Sequence, residues 1–268
     1  MMNTFKKLLT TALALSMILT GLLAFASCEK APEGEFVVGL DDAFPPMGYR
    51  DADNNIVGFD IDLATEAAKR MNMTVKFQPI AWASKDMELD TGNISCVWNG
   101  FTMHVDTRDD DYTWTPAYMK SRQVLVVLAD SPYQSADDLA GKNLALQLGS
   151  SAEAALDGAA DFKASLGNIA AYDDNQKVLM DLEIKQSDAI LIDEPVVRYY
   201  ISQKEGGAEN YRIFDTALAD EEYGVGFKLG NTELRDKVVK ALEEMAKDGT
   251  MKKISEKWFG SDVTTIGK

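Results

Sequence analysis

The stretch V38-G-L-D-D-A-F-P-P-M-G-Y-R-D-A-D-N-N-I-V-G-F-D-I-D-L63 decides the fold, because each of its pieces ends where the next must begin. Phe36-Val37-Val38 reads as a short strand, with Asp41 and Asp42 at its end. Phe44-Pro45-Pro46 follows, and two prolines cannot continue a central strand, so the chain turns there. Tyr49 to Val57, centred on Asp51-Ala52-Asp53-Asn54-Asn55, reads as a polar hairpin. Gly58-Phe59-Asp60 then opens a helix, with Asp60 placed as its cap.

Outward from this stretch, helices and strands alternate. Leu63, Ala64, Ala67, Ala68 and Met71 share one helical face. Val75-Lys76-Phe77 is a strand, Trp82 to Leu89 a short helix, and Cys96-Val97-Trp98 a strand. Gln123 to Leu128 contains the unbroken apolar run VLVVL, which fits a strand buried on both faces. Leu144 to Gln147, Ile169 to Tyr172 and Ala189 to Ile192 look similar, and helices over 150–156, 175–184 and 194–204 separate them. This βαβ rhythm predicts α/β sheets of the parallel type.

The chain has 268 residues, 46 % of them hydrophobic, and a net charge of −16. Residues 1–27 read as a targeting segment: Lys6 and Lys7, an apolar run from Leu8 to Ala26, and a small-residue end. Phe25-Ala26-Ser27-Cys28 is similar to a bacterial lipobox, with Phe25 where leucine is usual. Cleavage before Cys28 followed by its lipidation is the expectation; a retained membrane span is weakened by Thr10, Thr11, Ser16 and Thr20. The segment carries two lysines and no acids, so its removal takes the net charge to −18. Such a chain repels nucleic acid and anionic headgroups. Two cysteines and one histidine leave no zinc spacing, and Cys96 reads as a small core residue. Asp51, Asp53 and Asn55 imitate the start of a calcium loop, but Ile56 stands where that loop needs glycine. No cofactor is expected.

The order of elements from Val38 to Leu63, the Trp258-Phe259-Gly260 near the end and the pattern between them resemble the solute-binding proteins of amino-acid ABC importers (family 3). The resemblance implies a two-lobed periplasmic-binding-protein type II fold of class α/β with two hinge strands. Residues 28–35 would be a tether and 36–122 the first part of lobe 1. Residues 123–222 would be a hinge strand and lobe 2, and 223–268 the return hinge and the second part of lobe 1. The outgoing hinge would begin at Gln123 and the return would be Tyr223 to Phe227.

A free amino acid carries a carboxylate and an ammonium, and the candidates divide accordingly. Arg108 could form a bidentate pair with the carboxylate; it falls in the family's register when counted back from Tyr112 to Tyr118, and its other reading is a surface charge among Asp106, Asp109, Asp110 and Asp111. Trp98-Asn99-Gly100-Phe101-Thr102 matches a family loop at Gly100 and Thr102, where the Thr102 hydroxyl would meet the carboxylate and the Asn99 carbonyl the ammonium; the loop also reads as a strand-end turn. Gln147-Leu148-Gly149-Ser150-Ser151 precedes a helix, whose free amides suit a carboxylate. Ser150 with Glu153 fits a capping box. Asp193 ends a buried strand and in the family would receive the ammonium; alternatively it caps the helix holding Pro195. The resemblance places Asp41 and Phe44 beside the ligand cleft. Phe44, Trp82 and Trp98 could form an aromatic wall, with Trp98 equally at home in the core.

Together these imply a monomeric, lipid-anchored, extracytoplasmic receptor. It would pass a polar or cationic amino acid to an ABC permease without catalysing a reaction. A dehydratase-like enzyme on the same fold and an amino-acid sensor domain are the alternatives.

Overall fold

A computed structural model describes residues 34–104 and 108–268 of the protein. The chain begins with β1 (Glu35–Leu40), β2 (Ala43–Phe44), β3 (Gly48–Arg50), β4 (Ile56–Val57), α1 (Phe59–Arg70) and β5 (Thr74–Pro79). It continues through α2 (Lys85–Asp90), β6 (Cys96–Thr102), α3 (Arg108–Asp111), β7 (Tyr112–Trp114) and β8 (Met119–Leu128). Next come β9 (Asn143–Gln147), α4 (Ser151–Gly158), α5 (Ala160–Ser165), β10 (Asn168–Tyr172), α6 (Asn175–Glu183), β11 (Ala189–Asp193) and α7 (Glu194–Ser202). The last elements are α8 (Gly207–Asn210), β12 (Tyr211–Ile213), β13 (Ala219–Lys228), α9 (Thr232–Asp248) and α10 (Thr250–Phe259).

One sheet runs in the order β10-β9-β11-β8-β13-β6-β1-β5. Its outer thirds are parallel: β1 with β5 and β6, and β9 with β10 and β11. The predicted parallel α/β rhythm is therefore present twice. Two long antiparallel strands, β8 and β13, join the thirds, with Ser121 opposite Glu221 and Met119 opposite Tyr223. β8 begins at Met119, four residues before the expected start of the crossing.

Strand alternation sends successive side chains to opposite faces, and β8 uses both. Val124 and Val126 pack with the core under α6 and α7, while Leu125 and Val127 pack with Leu139, Leu144, Leu146 and Leu156. β11 divides in the same way, Ile190 and Ile192 to one side and Leu191 to the other. This is why the VLVVL run has no polar member: burying such a side chain contributes about 1.5–3 kcal/mol, and neither face is open to water.

The Tyr49–Val57 hairpin forms as predicted, with Tyr49 opposite Val57. The Asp51 carboxylate accepts the backbone N–H groups of Asp53 and Asn55, so it is spent on the hairpin itself. The cap of α1 differs from expectation. Gly58 holds the N-cap position at φ 151°, where a Cβ would lie 2.1 Å from the Met47 carbonyl oxygen. Asp60 lies inside the first turn, wholly buried, and its carboxylate faces β6 instead. The final helix is pinned back on α1: Trp258 Nε1 donates to Asp62 at 2.8 Å, and Phe259 meets Phe59 edge-on. Cys96 is free and buried in the core. Among the described residues no helix is long and apolar enough to cross a membrane, and no three metal-ligating side chains cluster.

Candidate functional site

Four strands, in two parallel pairs that run toward each other, aim their C-terminal ends at one place. Asp41 follows the last residue of β1, Thr102 ends β6, Gln147 ends β9 and Asp193 ends β11. In open α/β sheets the crevice beyond the carboxyl ends of the strands is where ligands bind. Here a pocket with about 240 Å³ of empty space is lined by Phe44, Trp82, Gly100, Thr102, Gln147, Ser150, Ser151 and Asp193.

On the β1–β6 side, shape is set by rings. Trp82 stands edge-on to Phe101 with centroids 5.5 Å apart. Gly100 has φ +54°, and a Cβ there would lie 2.8 Å from Phe44 Cε1, so only glycine allows the ring to close on this backbone. The Gly100 N–H donates to Asp60 Oδ2 at 2.6 Å, and the Tyr118 hydroxyl donates to the same oxygen at 2.9 Å. Burial pushes the Asp60 carboxyl up to about 7, against the pull of those donors.

The β9–β11 side is polar throughout. Ser150 caps α4, accepting from the Glu153 N–H and donating to the Gln147 carbonyl. The reciprocal half of the expected capping box shifts by one residue: the Glu153 carboxylate accepts from the Gly149 N–H, not from Ser150. Ser151 opens α4, whose first-turn amides lack helical partners. Asp193 occupies the N-cap position of α7 but makes no side-chain cap bond. Its carboxylate accepts from the Tyr223 hydroxyl at 2.6 Å, which frees it from the capping role. Burial raises its pKa.

The two sides touch across the mouth. Gln147 Nε2 donates to Asp41 Oδ2 at 2.7 Å, and Lys85 Nζ to the Gly149 carbonyl at 3.1 Å. The hydroxyls of Tyr199 and Tyr49 bond at 2.7 Å, and the Tyr200 hydroxyl donates to the Ala43 carbonyl at 2.6 Å. The cleft is shut. Burial pushes the Asp41 carboxyl up to about 6, opposed by the Ala43 N–H and the Gln147 amide. A larger groove, with about 1830 Å³ of empty space, lies against the crossing strands, between Met119, Arg122, Glu194, Glu221 and Trp258. It is wider, but the strand tips point into the smaller pocket, and Arg122, Glu194 and Arg198 in the groove are spent on one another as ion pairs.

Of the residues expected at a ligand site, Phe44, Trp82, Gly100, Thr102, Ser150, Ser151 and Asp193 line this pocket. Asn99 lies behind it, its side-chain oxygen accepting the Asp41 N–H at 3.0 Å. Asp41 sits at the rim through Gln147. Trp98 shares a strand face with Gly100 and Thr102 but lies deeper, fully buried against Tyr118, so it belongs to the core and not to an aromatic wall. The Arg108 side chain and Cys28 lie outside the described residues; the Arg108 backbone opens α3. Gln147 was missed as a lining residue, as were Gln123, Glu221 and Tyr223 behind it. The signal for the two glutamines is polarity at the ends of apolar strands, Gln123 before VLVVL and Gln147 after LAL.

The model of the bacterial extracellular solute-binding proteins, family 3, matches residues 36–261. The L-cystine-binding protein TcyJ of Escherichia coli is 31 % identical over 86 % of this chain and 85 % of its own. A Streptococcus pneumoniae ABC uptake transporter substrate-binding protein, crystallised with bound histidine, is 36 % identical with a TM-score of 0.83. That match covers 86 % of this chain and 94 % of the other. Tv2483 bound to L-arginine superposes with a TM-score of 0.81 at 28 % identity, covering 87 % of this chain and 94 % of that one. With strand tips meeting at a shut cleft and a match that takes in nearly every described element, the chain is a member of family 3 of the bacterial extracellular solute-binding proteins, with the two-lobed α/β fold of type II periplasmic binding proteins.

Proposed function

We propose that the protein is an extracytoplasmic receptor that captures a free amino acid in the strand-tip pocket and delivers it to an ABC importer. The observation that carries this reading is the convergence of separate chain segments on one pocket at the ends of β1, β6, β9 and β11. Asp193 takes the ligand ammonium, since its carboxylate is buried and not used as a cap. The Thr102 hydroxyl and the first-turn amides of α4 take the carboxylate, joined by Arg108 on the strength of its register. Phe44 and Trp82 pack on the ligand's stem, and Asp41 faces its side chain from the rim.

Lobe 1 comprises residues 36–122 and 223–268 and lobe 2 residues 123–222, with β8 and β13 as the hinge. Ligand settles on one lobe and recruits the other, so affinity favours the closed form. Asp41 and Asp193 beside the pocket, together with the chain's acidity, favour a polar or cationic ligand. The relatives' names describe binding proteins, and the site is read here as holding its ligand without transforming it.

Thermal-shift screening over the free amino acids tests the reading. At 100 times Kd a true ligand stabilises the folded protein by about 2.7 kcal/mol; an absence of any shift would sink it. Recovery of an unaltered ligand after prolonged incubation checks the receptor role. A lipid anchor at Cys28 is proposed from the lipobox-like segment alone, and fatty-acid labelling that persists in Cys28→Ser would refute it.

A further inference from the structure

Two carboxyl groups meet behind the pocket, with no cation between them among the described residues. Asp193 lines the pocket, and Glu221, on β13, lines the larger groove on the opposite side. They are 3 % and 6 % exposed. The groups facing them are the hydroxyls of Tyr223, Ser151 and Thr102 and the amide of Gln123. Gln123 Nε2 donates to Glu221 Oε2 and to the Ser151 hydroxyl, each at 3.1 Å. Glu221 and Tyr223 stand two residues apart on one face of β13, the Tyr223 hydroxyl donates to Asp193, and Glu221 adjoins the Asp193 carboxyl in the same network. Yet Glu221 Oε1 is buried and has no donor among the described residues.

An acceptor buried without a donor is expensive, and two carboxylates in contact in a buried site cannot both be ionised. One proton between them removes both costs. We propose that Glu221 is a proton-sharing partner of Asp193: the free protein holds one proton between these carboxyls, and the ammonium of a bound amino acid displaces it. The proton leaves to solvent through the groove that Glu221 lines. The ammonium then faces the Asp193 carboxylate with the ionised Glu221 behind it, so the net charge of the three groups together is unchanged. Glu221 is a positioning residue here, acting through Asp193, and the inference rests on Asp193 being the ammonium acceptor.

Burial raises the pKa of both acids, and the Asp193 charge raises that of Glu221 further. The proton is therefore held above the ordinary carboxylate range, so release upon binding occurs across that window as pH rises.

Calorimetric titration of the whole protein with arginine, histidine and cystine, in phosphate and in Tris, reads the proton count directly. Wild type should release up to one proton per ligand, with affinity rising by up to about tenfold per pH unit while the pair stays protonated. Glu221→Gln should bind with neither the release nor the slope, and Glu221→Asp should restore both. Should Glu221→Gln fail to fold, the proton count of Asp41→Asn decides, since Asp41 is the other raised carboxyl beside the ligand: release that persists there upholds the shared proton, and its disappearance overturns it. Binding without proton release, or equal release from Glu221→Gln, overturns the shared proton and leaves the receptor reading standing. Failure of every amino acid to bind overturns both.

Discussion

The two walls of the pocket are made by different means. On the β1–β6 side, Phe44 and Trp82 are fixed by neighbours they touch, and Gly100 is required by the closeness of a ring. On the β9–β11 side, Gln147, Ser150, Ser151 and Asp193 are fixed by hydrogen bonds to other polar groups. A packed wall cannot adapt without a cavity or a clash. A hydrogen-bonded wall can exchange one partner for another at little net cost, provided every group finds one. The first wall is suited to defining ligand shape, and the second to answering ligand charge.

The comparison breaks most sharply at Asp193. Asp193→Asn should leave the unliganded protein about as stable as wild type, because the carboxylate is not the α7 cap. Removing one partner of a buried charge pair costs about 3–5 kcal/mol, so calorimetry should show a loss of more than about a hundredfold in affinity. A loss of under tenfold would mean that the polar wall does not read ligand charge.

On the packed wall the expected penalty is in folding. Gly100→Ala forces a side chain into a left-handed conformation and against Phe44. The backbone cost of about 1–2 kcal/mol and the crowding cost of about 1–3 kcal/mol predict a total of about 2–5 kcal/mol in urea unfolding. A variant as stable as wild type would show that the ring yields and the wall is soft.

Asp41 sharpens the boundary, since it stands on one wall and bonds to Gln147 on the other. Its carboxyl is pushed up to about 6 by burial, from an ordinary value of about 3.9. The folded protein thus keeps a proton that the unfolded chain has lost. That stability is complete below the ordinary value and is lost as pH rises through about 6. Asp41→Asn should abolish the loss, so between about pH 4 and pH 8 the variant gains about 1–3 kcal/mol on wild type. Parallel urea midpoints for the two proteins would place Asp41 in open solvent.

The elements of both walls were readable in order, because apolar runs ending in a polar residue mark strand tips whatever they face. What could not be read was which tips meet. Gln123 and Glu221 are 98 positions apart in the chain, and no local pattern joins them. Asp60 was misplaced for a similar reason. Its neighbours in the sequence suggest a cap, but the Met47 carbonyl, brought close by the hairpin, reserves that position for Gly58. Trp98 shows the limit of strand alternation, which gives the face of a side chain and not its distance from the open end.

The doubly buried strand β8 has a thermal consequence. Its alternate valines and leucines wall two separate hydrophobic clusters, so neither cluster can melt while the other stays dry. A hinge is usually imagined as a slack tether between independent bodies. Here the cluster on the Val124–Val126 face runs on to Phe36, Val38 and Trp98 of β1 and β6, while the buried residues of the other stay within 125–214, and heating should therefore give a single calorimetric peak in place of one for each lobe.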